Sequence, residues 1–279
     1  YSLGEAAKVE EPISEDVLDK WVLSELNTVV KNVTFNLEKY DVLSAGRILS
    51  SFVNELSTWY IRRSRDRVGP SAINQEDKML CYTTLNVVFE VFLRAIAPIT
   101  PFVCEYLYRH QTSKESIHLQ DYPSVINESV INKDLLTQME LVRKVCELGH
   151  AQRKSLNLAV KQALNSATVT GAEGVKDKNE LVSLIKDELN IEKVIFTQGG
   201  DLTVTLDQVL DERLIAKGEA RQIMRAIQEA RKESACRLDE VVELVLPDWP
   251  KLFEEEIKQQ TLVSKITKGD KLTVIRNDQ

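Results

Sequence analysis

Histidine and cysteine are scarce in this chain of 279 residues, with three of the first and four of the second. Cys81, Cys104, Cys146 and Cys236 stand far apart and form no Cys-x-x-Cys pair, which argues against a zinc knuckle and against a disulfide framework. Each reads as a small buried apolar residue. His110, His118 and His150 are too dispersed to nominate a ligand set or a general base. A Gly-rich phosphate loop and a nucleophile elbow are both missing, and no carboxylate pair is singled out by an apolar setting. The expectation is a chain with no catalytic residue, no metal ligand and no cofactor of its own. No uninterrupted apolar run reaches the length a bilayer-spanning helix needs, and Tyr1-Ser2-Leu3-Gly4-Glu5 has neither a basic n-region nor an apolar core. No membrane partner is therefore expected, and the location is read as cytoplasmic. The sequons Asn32-Val33-Thr34 and Asn127-Glu128-Ser129 are then chance matches. The missing initiator methionine reads as the mark of a cut fragment.

What the chain does have is an ordinary globular composition, 43% hydrophobic and 28% charged, with enough length for two cores. Its net charge of -7 disfavours diffuse attraction to a polyanion. Against that background Thr58-Trp59-Tyr60-Ile61-Arg62-Arg63-Ser64-Arg65-Asp66-Arg67 concentrates four arginines and two large aromatics at the end of one predicted helix. RNA phosphate is the first candidate partner for such a cluster. Ile48, Leu49, Phe52, Val53, Leu56, Trp59 and Tyr60 recur at three- and four-residue intervals and make one apolar stripe. Trp59 is expected in the core rather than stacked on a base. Continuing the wheel puts Arg63 and Arg67 in line with the stripe, reaching past the core edge toward carboxylates, and leaves Arg62 and Arg65 for a polyanion.

From Val17 to about Ser155 the periodicity is helical throughout. Leu18, Trp21, Val22, Leu26, Val29, Val30, Val33 and Leu37 form a first stripe, and Tyr40-Asp41 separates it from the arginine helix. Gly69-Pro70 ends that helix, and Asn74 is the expected N-cap of a third, apolar nearly all round and read as the central helix of a bundle. Pro98 breaks it. Thr100-Pro101 is expected to cap and open a short helix, followed by a loop or short strand through Ile117-His118-Leu119 and a last helix bearing Ile131, Leu135, Met139, Val142 and Val145.

After Ser155, short β-branched runs at 167–170, 193–197, 202–206 and 241–246 alternate with helices near 179–189 and 212–233. They predict a small α+β domain with a mostly antiparallel sheet, and Gly171-Ala172-Glu173-Gly174 reads as a mobile surface loop within it. The fold class is thus mainly α, an antiparallel helical bundle followed by a smaller α+β domain. The expected boundaries are a linker at 1–16, a bundle at 17–156 and the α+β domain at 157–279. In the second long helix Lys217, Arg221, Arg225 and Lys232 form a basic stripe, with Glu219, Glu229 and Glu233 near enough to neutralise it. Lys217, Arg221 and Arg225 are secondary candidates for RNA contact.

The Trp-Tyr-Ile-Arg-Arg-Ser-Arg string resembles the hallmark of the anticodon-binding domain of isoleucyl-tRNA synthetases, a class I family. Asp19-Lys20-Trp21-Val22-Leu23-Ser24-Glu25-Leu26-Asn27 resembles that family's opening helix, and Ala97-Pro98-Ile99-Thr100-Pro101-Phe102 its mid-bundle break. Glu115-Ser116-Ile117-His118-Leu119 with Asp121-Tyr122-Pro123 favours the isoleucine family over its valine and leucine relatives. Leu148-Gly149-His150-Ala151-Gln152-Arg153-Lys154, Glu188-Leu189-Asn190 and Gly218 through Lys232 extend the likeness to about Leu246. Two positions depart from the pattern, with Lys161 in place of an arginine and Ala163 in place of a proline. The stretch from Trp249 resembles nothing in the family.

The resemblance implies a tRNA-binding, anticodon-recognising portion with tRNA-Ile as partner, and Arg62, Arg63, Arg65, Arg67, Arg153, Lys154 and Lys161 as its contact residues. It implies that ATP and magnesium belong to a catalytic part bearing His-Ile-Gly-His and Lys-Met-Ser-Lys-Ser, neither of which occurs here. Two other readings stay open: the same domain from a valine or leucine ligase, and a helical scaffold without RNA binding. A multi-synthetase assembly or another protein partner is left open as well.

Overall fold

The computed structural model describes residues 14–70, 72, 74–124, 131–209 and 211–276. The second sequon and most of the expected linker lie outside the described residues. The chain divides into two compact units, 1–137 and 138–279.

The first unit is helical. α1 (Val17–Glu38) starts where the Asp16 carboxylate accepts from the backbone N–H of Leu18 and Asp19. It is the most deeply buried helix of the unit, with Trp21, Val22, Leu26 and Val33 nearly or wholly shielded from solvent. Tyr40, in left-handed backbone, turns the chain into α2 (Val42–Glu55), capped by Asp41. α2 passes into a π turn (Leu56–Ile61) and then the single-turn α3 (Arg65–Val68). Asn74 caps α4 (Gln75–Ile96) through the N–H groups of Glu76 and Asp77, as expected. α4 is long and apolar enough to cross a membrane by length and composition, which corrects the reading of the apolar runs. Here it packs on α1, α3 and α5. Only one side of it is deeply buried, since Leu85, Val87 and Phe89 are half-exposed. α5 (Pro101–Gln111) opens on proline, but the Thr100 hydroxyl lies 3.3 Å from Cys104 Sγ instead of capping a backbone N–H. Ile117–Leu119 is a 3-10 turn rather than a strand, and its Ile117 N–H donates to Glu105.

α6 (Lys133–Ser155) leads into the second unit. There β1 (Leu164–Thr170), α7 (Asn179–Leu189), β2 (Ile191–Thr197) and β3 (Thr203–Leu206) form a sheet of order β2-β1-β3. β1 runs parallel to β2 and antiparallel to β3. α8 (Glu212–Glu233) is followed by β4 (Val242–Leu246), α9 (Glu254–Thr261), β5 (Val263–Lys268) and β6 (Thr273–Arg276), in a sheet of order β5-β4-β6. β4 again has one parallel and one antiparallel neighbour. Each sheet is mixed rather than mostly antiparallel, because a helix crossover joins its first two strands. The second sheet closes on Ala220, Met224 and Ile227 of α8, with Trp249, Phe253 and Ile257 beneath it. The turn at Gly171 is packed rather than loose: Gly171 has a φ of +74° and Ala172 and Val175 are buried.

Candidate nucleic-acid interface

The arginine string owes its geometry to the π turn. A π turn holds one residue more than an α turn, so the buried stripe shifts along the sequence. Ala45, Leu49, Phe52, Leu56, Tyr60 and Ser64 are buried, whereas an uninterrupted wheel runs through Trp59 and Arg63. Tyr60 is wholly buried, Trp59 is half-buried, and Val53 is 45% exposed. The core role expected of Trp59 therefore belongs to Tyr60. The Arg63 guanidinium carbon stands 5.5 Å from the centroid of the Trp59 ring, a cation–π contact at the edge of the helix.

Arg67 is the residue that locks the string. Its Nε and Nη2 donate to Asp77 at 2.9 and 2.7 Å, and its Nη1 and Nη2 to Asp19 at 2.9 and 2.8 Å. Nη1 also lies 3.1 Å from the Asp16 carboxylate. Asp19 is completely buried, and it accepts a further bond of 2.6 Å from the Tyr60 hydroxyl. One guanidinium thus joins the start of α1, the end of the arginine string and the start of α4. Burial opposes the Arg67 charge, but the bonds from Asp19 and Asp77 outweigh it and hold its pKa above the usual arginine value. Burial pushes Asp16 up, while the bond from Arg67 draws Asp77 down. Burial, then the neighbouring Asp19 charge, raises the Tyr60 phenol well above its ordinary range.

Pairing of Arg67 with carboxylates matches the sequence expectation. Its parallel assignment to tRNA is corrected, since both edges of the guanidinium are occupied. Arg62 and Arg65 are exposed, and Arg62 Nε donates to the Thr58 carbonyl at 2.9 Å. Sequence reasoning missed Asp16, Asp19 and Asp77 as partners. The signal was present: a carboxylate at 19 falls on the apolar stripe of α1, between Leu18 and Trp21.

In the second unit Arg153 is 1% exposed. Its guanidinium donates to the carbonyls of Leu189 at 2.6 Å, Ala159 at 2.9 Å and Asn190 at 3.2 Å. It is a structural clamp and cannot reach a phosphate, which corrects its place among the contact residues. Lys154 and Lys161 are exposed and make no ion pair among the described residues. Lys217 is paired with Glu192 of β2 rather than with its own helix, and Arg225 bonds Glu229 at 3.2 Å. Arg221 is half-buried, near enough to Arg153 and Glu192 to act on their charges. The basic stripe of α8 is thus largely neutralised. Among the described residues no group of three His, Cys, Asp or Glu side chains could hold a metal ion.

Comparison with known proteins agrees with this geometry. The isoleucine–tRNA ligase of Dehalococcoides mccartyi (strain CBDB1) is 33% identical over 285 aligned residues, covering 91% of this chain and 28% of the relative. That of Clostridium tetani is 35% identical over 228 residues, covering 79% and 21%. Isoleucine–tRNA ligase 2 of Bacillus cereus is 39% identical over 175 residues, covering 62% and 17%. The chain spans less than a third of the length of these relatives. The family described as the anticodon-binding domain of tRNA ligase matches residues 19–168, from the aspartate that receives Arg67 to the middle of β1. With more than half of its length inside that match, the chain belongs to the anticodon-binding domains of tRNA ligases.

Proposed function

We propose that this chain is the tRNA-binding portion of an isoleucine–tRNA ligase, which presents tRNA-Ile to a catalytic part for ATP-dependent aminoacylation. The observation that carries the reading is the exposure of Arg62 and Arg65 at the end of a bundle whose third arginine, Arg67, is locked inward. An arginine helix fixed at its far end holds its outward cations in place, and phosphate contacts of that kind position an RNA while unstacked bases are read singly. Arg62, Arg65, Lys154 and Lys161 form the contact set. Arg63 supports it through its contact with Trp59.

The bundle at 17–156 is the anticodon-recognising part in this reading, and the α+β part at 157–279 is appended to it. ATP and magnesium belong to the catalytic part of the ligase, and the fragment alone is inactive. Its place is the cytoplasm. The test is filter binding of total tRNA and of tRNA-Ile, beside amino-acid-dependent ATP–pyrophosphate exchange. Binding without exchange is expected. Exchange by the purified chain, or failure to retain tRNA at low salt, overturns the reading.

A further inference from the structure

The second unit contains the same module twice. Each copy begins with a long helix whose third residue from the end is a buried arginine, Arg153 in α6 and Arg231 in α8. Two residues past each helix end the chain takes a left-handed conformation, at Asn157 and at Ala235. Each crossover helix also ends on a left-handed residue, Asn190 or Leu262, and the duplicated arginine donates to its carbonyl. The hairpins agree too. Gly199 and Gly269 both stand against the central strand, where a Cβ would lie 2.1 Å from Thr170 Cγ2 and 2.3 Å from Val245 Cγ1. Leu202-Thr203-Val204 then matches Leu272-Thr273-Val274 at the start of the last strand.

Two copies of one fold act as a control on each other, because a side chain the fold requires should be present in both. The first hairpin, 191–206, carries one cation, Lys193, and two carboxylates, Glu192 and Asp201. The second, 263–276, carries Lys265, Lys268, Lys271 and Arg276 against Asp270 alone. The strand pairings and hairpin ends put Lys265 where the first copy has Ile195 and Lys268 where it has Gln198. Arg276 is held by Glu240 at 2.7 Å. Lys265, Lys268 and Lys271 are exposed and make no ion pair among the described residues. The fold forms without these lysines in its first copy, so their concentration in a chain of net charge -7 calls for a partner outside the fold.

We infer that the β5–β6 hairpin is a second RNA-contacting surface, on which Lys265, Lys268 and Lys271 bind the phosphate backbone of the tRNA. Lysine ammonium groups act as point charges and carry no base-reading fork, so this surface positions the RNA without selecting its sequence. The inference rests on the proposed tRNA-binding reading and adds to it a contact from a stretch that resembles nothing in the family.

The experiment is tRNA binding by the whole chain across a salt series, for wild type, for the triple variant Lys265→Ala, Lys268→Ala, Lys271→Ala, and for Arg62→Ala with Arg65→Ala. Each phosphate contact contributes roughly 0.7 to 0.9 to the slope of log affinity against log salt, so the triple variant should flatten it by about 2 to 3. Its melting temperature should stay unchanged, since the first copy folds without these cations. A triple variant with the wild-type slope overturns the second surface, and if the arginine variant still flattens, the anticodon-bundle reading stands. Wild-type protein that fails to bind tRNA overturns both.

Discussion

Tyr60 and Asp19, separated by 41 positions in the chain, meet through a buried hydrogen bond of 2.6 Å, and that bond sets the rotation of the arginine string. Tyr60→Phe should leave the buried carboxylate one donor short and lower stability by about 1 to 3 kcal/mol, read by denaturant unfolding. Trp59→Ala should cost less than Tyr60→Ala, because the indole is only half-buried. The reverse order would return Trp59 to the core.

Arg67→Ala removes the only cation bonded to the wholly buried Asp19. The expected loss is roughly 3 to 5 kcal/mol, typical of a buried pair broken on one side. Arg67→Lys should rescue little, since a single ammonium cannot serve Asp19 and Asp77 bidentately. Full recovery by lysine would show that charge alone, without the planar fork, suffices.

Acidification should weaken the same lock. The bond from Arg67 draws the Asp77 pKa below its unfolded value, so the pair contributes fully above that value and loses its contribution as pH falls through the folded one. Asp16 has the opposite sign: burial raises its pKa, and its cost is relieved as it protonates. Asp77→Asn should therefore flatten stability against pH below about pH 4, in the range where an unpaired aspartate titrates. Unchanged pH dependence would mean that the pair adds nothing to folding.

Gly199→Ala and Gly269→Ala should behave alike. Each new methyl group would press on a β-branched side chain of the central strand, and β-branched residues have little rotamer freedom with which to yield. A loss of roughly 1 to 3 kcal/mol for each is expected from overpacking, read by thermal melts. A neutral effect at one site and a large one at the other would break the equivalence of the two hairpins.

The legible parts of the fold were those with a local signal. Asn74 and Asp41 announced their helices as caps, and α7 and α8 followed from their apolar spacing. The π turn was not legible, because Leu56, Trp59 and Tyr60 satisfy a 3.6-residue wheel equally well until tertiary bonds choose Tyr60. The roles of Arg153 and Arg67 escaped for a related reason. An arginine bound for backbone carbonyls or for distant aspartates looks, in sequence, like one bound for phosphate. The repeat in the second unit is mostly a repeat of backbone conformation, at Asn157 and Ala235 or Asn190 and Leu262, where the residue types do not match.

The π turn also makes the string sensitive to a count made upstream of it. Each residue of a helix advances the chain by about 100°, so deleting one residue between Leu56 and Ile61 could relax the turn into ordinary α-helix while rotating everything after it by that angle. Arg67 would leave its aspartates, and Arg62 and Arg65 would face another quarter of the compass. A lesion that removes no charge and no aromatic ring would then silence the arginines by changing their phase.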